Sequence, residues 1–300
     1  MPAPVPPGHT RGPILFLGAI TTPGGEQMLL QRFWTDAGGY GSRILLVAAD
    51  PDDRQVEIIA SRFRQWEAEL VDILPLTRRA DAHFVAHSTL IEQATAILIV
   101  NGAPHELARR LGGTPAAQAI RRANARGKTV AALGDSAGIL CQHILVGVSP
   151  SESGYTPGLG LINRLAVAPM SMGPGPSGAK QEPESVERVA CLLTAIAPNP
   201  FLIGVSLAFD TGAAVYADTT LEVFGQNETL LLDGADCTGD NLDSLALIAP
   251  PTQAQLAALG IYLHHLTAGY TFNFDQRSIA PPAETELPGP DSPEFSKSSF

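Results

Sequence analysis

The 300-residue sequence has few cysteines, and their arrangement excludes two classes of protein. Cys141, Cys191 and Cys237 are widely spaced and form no C-x-x-C pair, which argues against a thiolate zinc site. An odd number of cysteines also argues against a disulfide framework and favours a reducing compartment. We therefore expect a cytoplasmic protein with no metal site and no cofactor.

Long apolar runs and positive charge are scarce as well. No run reaches the length needed to span a membrane, and residues 1–12 are rich in proline without the apolar core of a secretory signal. The formal net charge of −11 disfavours binding to nucleic acid or to an anionic membrane surface. Hydrophobic residues, in contrast, make up 45% of the chain, enough for a sizeable core.

The first half alternates short apolar runs with segments of helical spacing. Strands are predicted at residues 14–17, 43–48, 70–74, 96–100 and 129–133, and helices at 25–37, 53–69, 81–92 and 115–126. This alternation predicts an α/β fold with a mostly parallel central sheet flanked by helices. Ligands of such sheets bind at the carboxyl ends of the strands, which is where Asn101, Gly102 and Ser136 fall.

The second half is richer in strand patterns. Strands are predicted at residues 165–168, 202–207, 213–216, 221–224 and 229–232, and the short connection around Asn227 suggests a hairpin between the last two. Residues 279–300 are rich in proline, serine and acidic residues, a composition typical of disorder. We predict a disordered tail at 1–11, one domain at 12–278 and a second disordered tail at 279–300.

The most informative motif is Gly134-Asp135-Ser136-Ala137-Gly138, a G-x-S-x-G between the predicted strand 129–133 and a helix-like segment, 139–146. In a nucleophile elbow, such glycines permit a tight turn that exposes the serine hydroxyl at the mouth of the sheet. The alternative interpretation is a strand-to-helix turn of small residues without a catalytic role. The flanking strand and helix-like segment favour the shape of an elbow. Whether the elbow is active depends on the residues that lie around Ser136, above all on a general base.

Five segments carry motifs in a recognisable order. They are residues 33–39 with Ser42-Arg43-Ile44, the turn Leu111-Gly112-Gly113-Thr114-Pro115, the serine motif 134–138, the segment Gly158-Leu159-Gly160-Leu161 and the closing run 263–272. Together they resemble the cyanophycinases and related aspartyl dipeptidases of serine peptidase family S51, from about residue 12 to 277.

The resemblance to family S51 implies a fold, an activity and a set of partners. The implied fold is an α/β sandwich related to class I glutamine amidotransferases, and the implied activity is serine-type hydrolysis with Ser136 as nucleophile. The implied assembly is a homodimer. The implied ligand is a peptide or another molecule containing arginine or aspartate.

The resemblance breaks where the family carries its general base. The histidine of the family's "DQHF" strand falls on Met170, within Val167-Ala168-Pro169-Met170-Ser171. A thioether cannot take the serine proton, and a serine without an adjacent base is a poor nucleophile. The sequence therefore predicts that Met170 replaces the catalytic histidine.

Other family motifs near the predicted site also differ. The family's "TGGDQ" reads Val100-Asn101-Gly102-Ala103-Pro104, in which proline has no N–H to donate. The family's "GIGIDE" occupies residues 204–209 without its acidic pair, and Asp210 stands one place beyond. The candidate substrate-binding or oxyanion-binding positions are Asn101, Gly102, Asp135 and Ala137. The acidic triad member stays unassigned between Glu152 and Asp135.

Several histidines are candidate replacements for the missing base. His105 follows the altered "TGGDQ" motif and is the candidate substitute base, although it also suits an exposed position opening a helix. His143 would lie two helical turns beyond Ser136, roughly 10 Å away and too far for a direct bond.

The remaining histidines occur in two pairs. His83 and His87 have i, i+4 spacing, as on one helix face, but no third metal ligand is evident. In the closing strand, alternation predicts that one of His264 and His265 is buried and the other exposed.

Three functions remain open from the sequence. The first is a cyanophycinase-like homologue that keeps the Ser136 elbow but is inactive, or repurposed to bind a ligand or partner. The second is an active serine hydrolase of cyanophycin or of aspartyl or arginyl peptides, with a relocated base. The third is a structural or assembly role in which the cleft stays empty.

Overall fold

The computed structural model describes residues 2–146, 154–168, 185–237, 239–240 and 258–282. Its helices are α1 (Pro23–Asp36), α2 (Arg54–Gln65), α3 (Val85–Gln93), α4 (Pro104–Leu111), α5 (Pro115–Ala125) and α6 (Ser185–Ile196). Its strands are β1 (Ile14–Leu17), β2 (Arg43–Ala48), β3 (Leu70–Pro75), β4 (Ala96–Val100), β5 (Thr129–Leu133), β6 (His143–Val146), β7 (Gly154–Pro157), β8 (Leu165–Val167), β9 (Ile203–Leu207), β10 (Thr211–Val215), β11 (Thr220–Gly225), β12 (Thr229–Asp233), β13 (Gly239–Asp240), β14 (Ala258–Leu259), β15 (Tyr262–Leu266), β16 (Thr271–Asn273) and β17 (Ser278–Ala280). Short 3₁₀ helices cover Gly39–Gly41, Asp81–His83 and Gly134–Leu140.

The central sheet has the order β17-β16-β11-β10-β1-β5-β4-β2-β3. The strands from β1 to β3 in this order are parallel, and the four beyond β1 are antiparallel and come from the second half of the chain. A second sheet has the order β15-β12-β9-β8. This architecture confirms the predicted α/β class, with a central sheet flanked by helices and a strand-rich C-terminal half.

Both faces of the central sheet are covered, which explains the unbroken apolar runs of its strands. In β1, Ile14 and Phe16 join one core cluster, whereas Leu15 and Leu17 join the other. The face of Leu15 is covered by α1 and α2. The face of Phe16 is covered by α4, α5 and the second sheet, and α6 packs beyond that sheet.

Helix termini follow local capping chemistry. The side chain of Thr22 accepts the main-chain N–H of Gly25 at 2.9 Å, and Pro23 starts α1. The side chain of Thr114 likewise caps α5 before Pro115. A threonine followed by proline is a favourable helix start, since proline lacks the N–H that the first turn leaves unpaired.

Several predicted boundaries were wrong. The helix predicted at 53–69 ends at Gln65, because Glu67 adopts a left-handed φ of 59°. The helix predicted at 81–92 is interrupted at Phe84, whose backbone is extended. Residues 139–146 do not form a helix, since a 3₁₀ helix runs to Leu140 and β6 follows.

The second half contains further differences. The hairpin predicted at Asn227 does not form, because β11 belongs to the central sheet and β12 to the second sheet. The closing run 263–272 is divided by a turn at Gly269 between β15 and β16, which belong to different sheets. The predicted tail 279–300 begins too early, since Ile279 pairs with Phe272. Among the described helices, none has the length and apolar character needed to cross a membrane.

Candidate active site

The serine motif forms a closed turn at the carboxyl end of β5. Gly134 takes a left-handed φ of 63°, and the 3₁₀ helix Gly134–Leu140 follows directly. Ser136 has 0% of its surface exposed. Its hydroxyl donates to the carbonyl oxygen of Leu133 at 2.7 Å, with the carbonyl oxygen of Ile99 as a second acceptor at 3.2 Å.

This geometry differs from that of an active elbow. In a nucleophile elbow the serine sits on a strained turn that exposes its hydroxyl. Here the positive φ falls on Gly134, and Ser136 is not among the described non-glycine residues with positive φ. The hydroxyl is turned into the sheet, and its hydrogen-bond acceptors in the described structure are two main-chain carbonyls.

A glycine-rich segment, residues 158–161, pairs with residues 139–142, which follow the serine motif. Leu159 donates its N–H to the carbonyl of Ile139 at 2.8 Å, and Gly160 donates to that of Cys141 at 3.1 Å. A methyl group at Gly158 would lie 2.2 Å from the carbonyl oxygen of Cys141, so only glycine fits there. The segment therefore holds the serine turn by main-chain pairing, where the resemblance implies the approach to a histidine-bearing strand.

Burial also controls the chemistry of the thiol beside this segment. Cys141 is fully buried, and burial raises the pKa of its thiol to about 12. At neutral pH the side chain is a protonated thiol with little nucleophilic character. Cys141 therefore acts as a core residue of the serine turn.

The end of β4 contributes Asn101 and Gly102, two of the candidate oxyanion positions. The side-chain oxygen of Asn101 accepts the N–H groups of Ala49 at 2.8 Å and Asp50 at 3.1 Å, and its amide donates to the carbonyl of Asp50 at 2.7 Å. This side chain is committed to the connection between β2 and α2. Gly102 has a left-handed φ of 85°, and a methyl group there would lie 2.7 Å from Cβ of Ala49.

The remaining predicted site residues are distributed as follows. Ala137 is buried with 1% exposure, and Asp135 is half-buried. Met170 and Glu152 lie outside the described residues. His105 is exposed in the first turn of α4, whereas Ser136 is fully buried. The predictions for these positions stay predictions.

Two expectations about histidines were wrong in their geometry. His143 lies in β6 with its ring centroid 6.1 Å from that of Tyr155, so the distance from Ser136 argued from a helix does not apply. His83 belongs to the 3₁₀ helix and His87 to α3, so the two do not share one helix face. The ring of His87 instead contacts the carbonyl oxygen of Asp81 at 2.7 Å.

The histidines of β15 differ less in exposure than alternation predicted. His264 is half-buried and His265 is exposed. Among the described residues, no group of three or more histidine, cysteine or acidic side chains could hold a metal ion.

Sequence reasoning missed the importance of Asp210, which stabilises the loop before α1. Asp210 has 1% exposure and a left-handed φ of 54°. Its carboxylate accepts the N–H groups of Thr21 at 2.8 Å and Thr22 at 3.3 Å, together with both threonine hydroxyls. Burial acts to raise the pKa of Asp210, but the hydrogen bonds from Thr21 and Thr22 outweigh it and hold the pKa below its usual range. The acid that follows the altered "GIGIDE" motif is thus built into the fold.

A buried arginine was also missed. Arg188 in α6 has 8% exposure, donates to the carbonyl of Leu207 at 2.8 Å and lies over the ring of Phe209 at 5.8 Å. Its signal in the sequence is a cation in a helix whose other residues are mostly apolar. Its burial depends on packing of α6 against β9, which no local pattern reveals.

Comparisons with known proteins agree on one relationship. No family model matches the chain. A cyanophycinase from Geminocystis herdmanii is 27% identical over 276 residues, covering 88% of this chain and 94% of the relative. A cyanophycinase from a Nostoc species is 26% identical over 290 residues, covering 92% of this chain and 90% of the relative.

Solved structures support the fold. A peptidase from an acI-B1 actinobacterium superposes with a TM-score of 0.61 at 20% identity, covering 89% of this chain and 98% of that one. A putative peptidase E from Listeria monocytogenes superposes with a TM-score of 0.52 at 10% identity, covering 72% of this chain and 100% of that one. Sequence similarity over about nine tenths of the chain and the shared peptidase fold lead to one conclusion: the chain is a cyanophycinase-like protein of the S51 peptidase type.

Proposed function

We propose that this cyanophycinase-like protein does not hydrolyse substrates through Ser136 and instead binds a ligand or partner. The observation that supports the proposal most directly is the state of the serine hydroxyl. It has no exposed surface, and it donates its proton to the main-chain carbonyl of Leu133 at 2.7 Å. By resemblance, we also propose a cytoplasmic homodimer.

Acyl transfer needs two conditions that this hydroxyl does not meet in the described structure. A general base must have its accepting atom within about 2.6–3.2 Å of the serine oxygen that carries the proton, and a carbonyl oxygen is not such a base. The reacting carbonyl of a substrate must also reach the serine oxygen, but Ser136 has 0% of its surface exposed. Met170, at the position of the family histidine, supports the same proposal from the sequence.

One alternative has a specific observation in its favour. Pro104, which precedes His105, packs near the serine turn, since a methyl group at Gly138 would lie 3.7 Å from its Cβ. An active hydrolase with His105 as its base would require the serine turn to open and the exposed imidazole to turn inward. Its ligand would be cyanophycin or an aspartyl or arginyl peptide.

Labelling with a fluorophosphonate probe tests the proposal. We expect no labelling of the folded protein and no release of dipeptides from cyanophycin, with an active cyanophycinase as the positive control in both assays. Labelling of the wild type that is lost in Ser136→Ala would contradict the proposal. In that case, a His105→Gln variant with a lowered rate and an altered pH profile would support the relocated base.

A further inference from the structure

An open depression lies at the same edge of the central sheet, away from the serine turn. It has a volume of about 440 Å³ and is lined by Arg79, Glu106, Arg109 and Arg110, which we call the arginine depression. Arg79 follows β3, and the other three residues belong to α4. The first residue of α4, Pro104, packs near the serine turn, whereas the residues of α4 that line the depression begin at Glu106.

Arg110 fixes the position of the arginine depression on the sheet. Its Nη1 donates to the carbonyl oxygens of Ala49 at 3.0 Å and Leu76 at 2.9 Å, which directly follow β2 and β3. Its other terminal nitrogen lies 3.7 Å from the carboxylate of Glu106. Arg110 thus ties α4 to the ends of two strands, and much of its donor capacity is used internally.

Arg79 is presented by a tethered loop. The buried carboxylate of Asp81 accepts the hydroxyl of Thr77 at 2.9 Å and the N–H of Arg78 at 3.0 Å. Arg79 itself donates from Nη1 to the carbonyl of Arg109 at 2.9 Å. A guanidinium has five N–H donors, so this single bond orients the group and leaves most donors for a ligand.

The local charge of the arginine depression is opposite to that of the chain. Three guanidinium groups face one carboxylate, Glu106, while the chain carries a formal net charge of −11. Within the described residues, neither Arg79 nor Arg109 forms an ion pair, whereas neighbouring Arg78 is paired with Asp81. Exposed arginines without carboxylate partners present planar forks that match anionic groups in bidentate geometry.

We propose that the arginine depression binds an acidic peptide segment, with one carboxylate on Arg79 and a second on Arg109. The depression is open, which suits side chains projecting from an extended chain better than an enclosed small ion. The lining residues of the depression include no aromatic side chain on which bases could stack, which disfavours single-stranded nucleic acid. Binding here requires no reaction at Ser136.

Fluorescence anisotropy with labelled hexa-aspartate tests this proposal. We expect saturable binding that weakens at high salt, and at least a tenfold loss of affinity in Arg79→Gln/Arg109→Gln. The matched control is Arg54→Gln/Arg126→Gln, which removes the same charge from exposed positions outside the depression and should stay within twofold of wild type. Labelled hexa-asparagine should not bind.

Three results would overturn the proposal. They are absence of hexa-aspartate binding, equal weakening by both double variants, and preference for a single-stranded oligonucleotide over the peptide. Ser136→Ala should bind the peptide as wild type does. The proposal therefore stands or fails separately from the one made for the serine.

Discussion

The serine turn and the arginine depression both contact α4 but differ in how their polar groups are used. Ser136 is buried, and its hydroxyl is bonded to main-chain carbonyls. Arg79 and Arg109 are exposed and have no ion-pair partner among the described residues. In the serine turn, the serine hydroxyl is hydrogen-bonded within the fold. In the arginine depression, guanidinium N–H donors stay accessible to solvent.

Hydrogen bonding and charge, rather than the motif alone, indicate which of the two regions can bind a ligand. A motif identifies residue types, but the bonds that those residues make decide what they can do. The serine motif has the sequence of a nucleophile elbow, but its serine hydroxyl is hydrogen-bonded to main-chain carbonyls, as in a structural turn. The arginine depression has no recognised motif, yet it has the charge and open donors that a binding site needs.

The largest expected effect comes from breaking the closure of the serine turn with Gly158→Ala. The new methyl group would lie 2.2 Å from the carbonyl of Cys141 and 2.8 Å from that of Ile139, so the paired segments must separate. We expect the free energy of unfolding to fall by about 3 kcal/mol or more, as in severe overpacking. Urea denaturation followed by circular dichroism measures the change.

The matched control is Gly41→Ala. Nothing lies within 4 Å of a methyl group at Gly41, and its backbone does not require glycine. Its stability should stay within about 0.5 kcal/mol of wild type. If Gly158→Ala were as stable as wild type, the pairing of residues 158–161 with residues 139–142 would be looser than described.

The strands of the first half of the chain could be predicted from the sequence more accurately than those of the second half. The parallel strands were predicted almost residue by residue, because burial on both faces produces unbroken apolar runs such as Ile14–Leu17. The second half was predicted less well, because sheet membership depends on distant pairing. Nothing local distinguishes β11 from β12, yet they join different sheets.

At the candidate site, the sequence placed Ser136, Asn101 and Gly102 correctly at the ends of their strands. It could not predict that the hydroxyl of Ser136 would turn inward, since this depends on Gly134 taking the positive φ and on the carbonyl oxygens of Leu133 and Ile99 lying within reach. The arginine depression was missed for a similar reason. Arg79 and Arg109 are thirty positions apart and meet because α4 packs beside the loop that follows β3.

Loss of the Asp210 carboxylate should lower stability by less than Gly158→Ala does. Like Ser136, Asp210 is a buried polar group whose partners lie within the fold. Asp210→Asn leaves one oxygen to accept bonds from Thr21 and Thr22, so we expect a loss of about 2 kcal/mol at pH 7. The folded pKa lies below the unfolded value of about 3.9, so this stabilisation is present above the unfolded value and lost as pH falls through the folded one.

Urea denaturation at neutral pH and at about pH 3 tests the role of Asp210. The difference between Asp210→Asn and wild type should be large at neutral pH and should shrink in acid. Asp52→Asn, which changes an exposed carboxylate, should match wild type at both values. A difference that is independent of pH would assign the effect to altered packing rather than to the carboxylate charge.

The smallest expected changes in stability distinguish two neighbouring residues of the arginine depression, Arg109 and Arg110. Arg110→Gln removes a donor to the carbonyls of Ala49 and Leu76, so we expect a loss of about 1 kcal/mol in stability. Arg109→Gln should change stability by less than about 0.5 kcal/mol, because its guanidinium is exposed and unpaired within the described structure. Binding of hexa-aspartate should weaken in Arg109→Gln at unchanged stability. If both variants were equally destabilised, Arg109 would belong to the fold, and the division between structural and ligand-binding groups along α4 would fail.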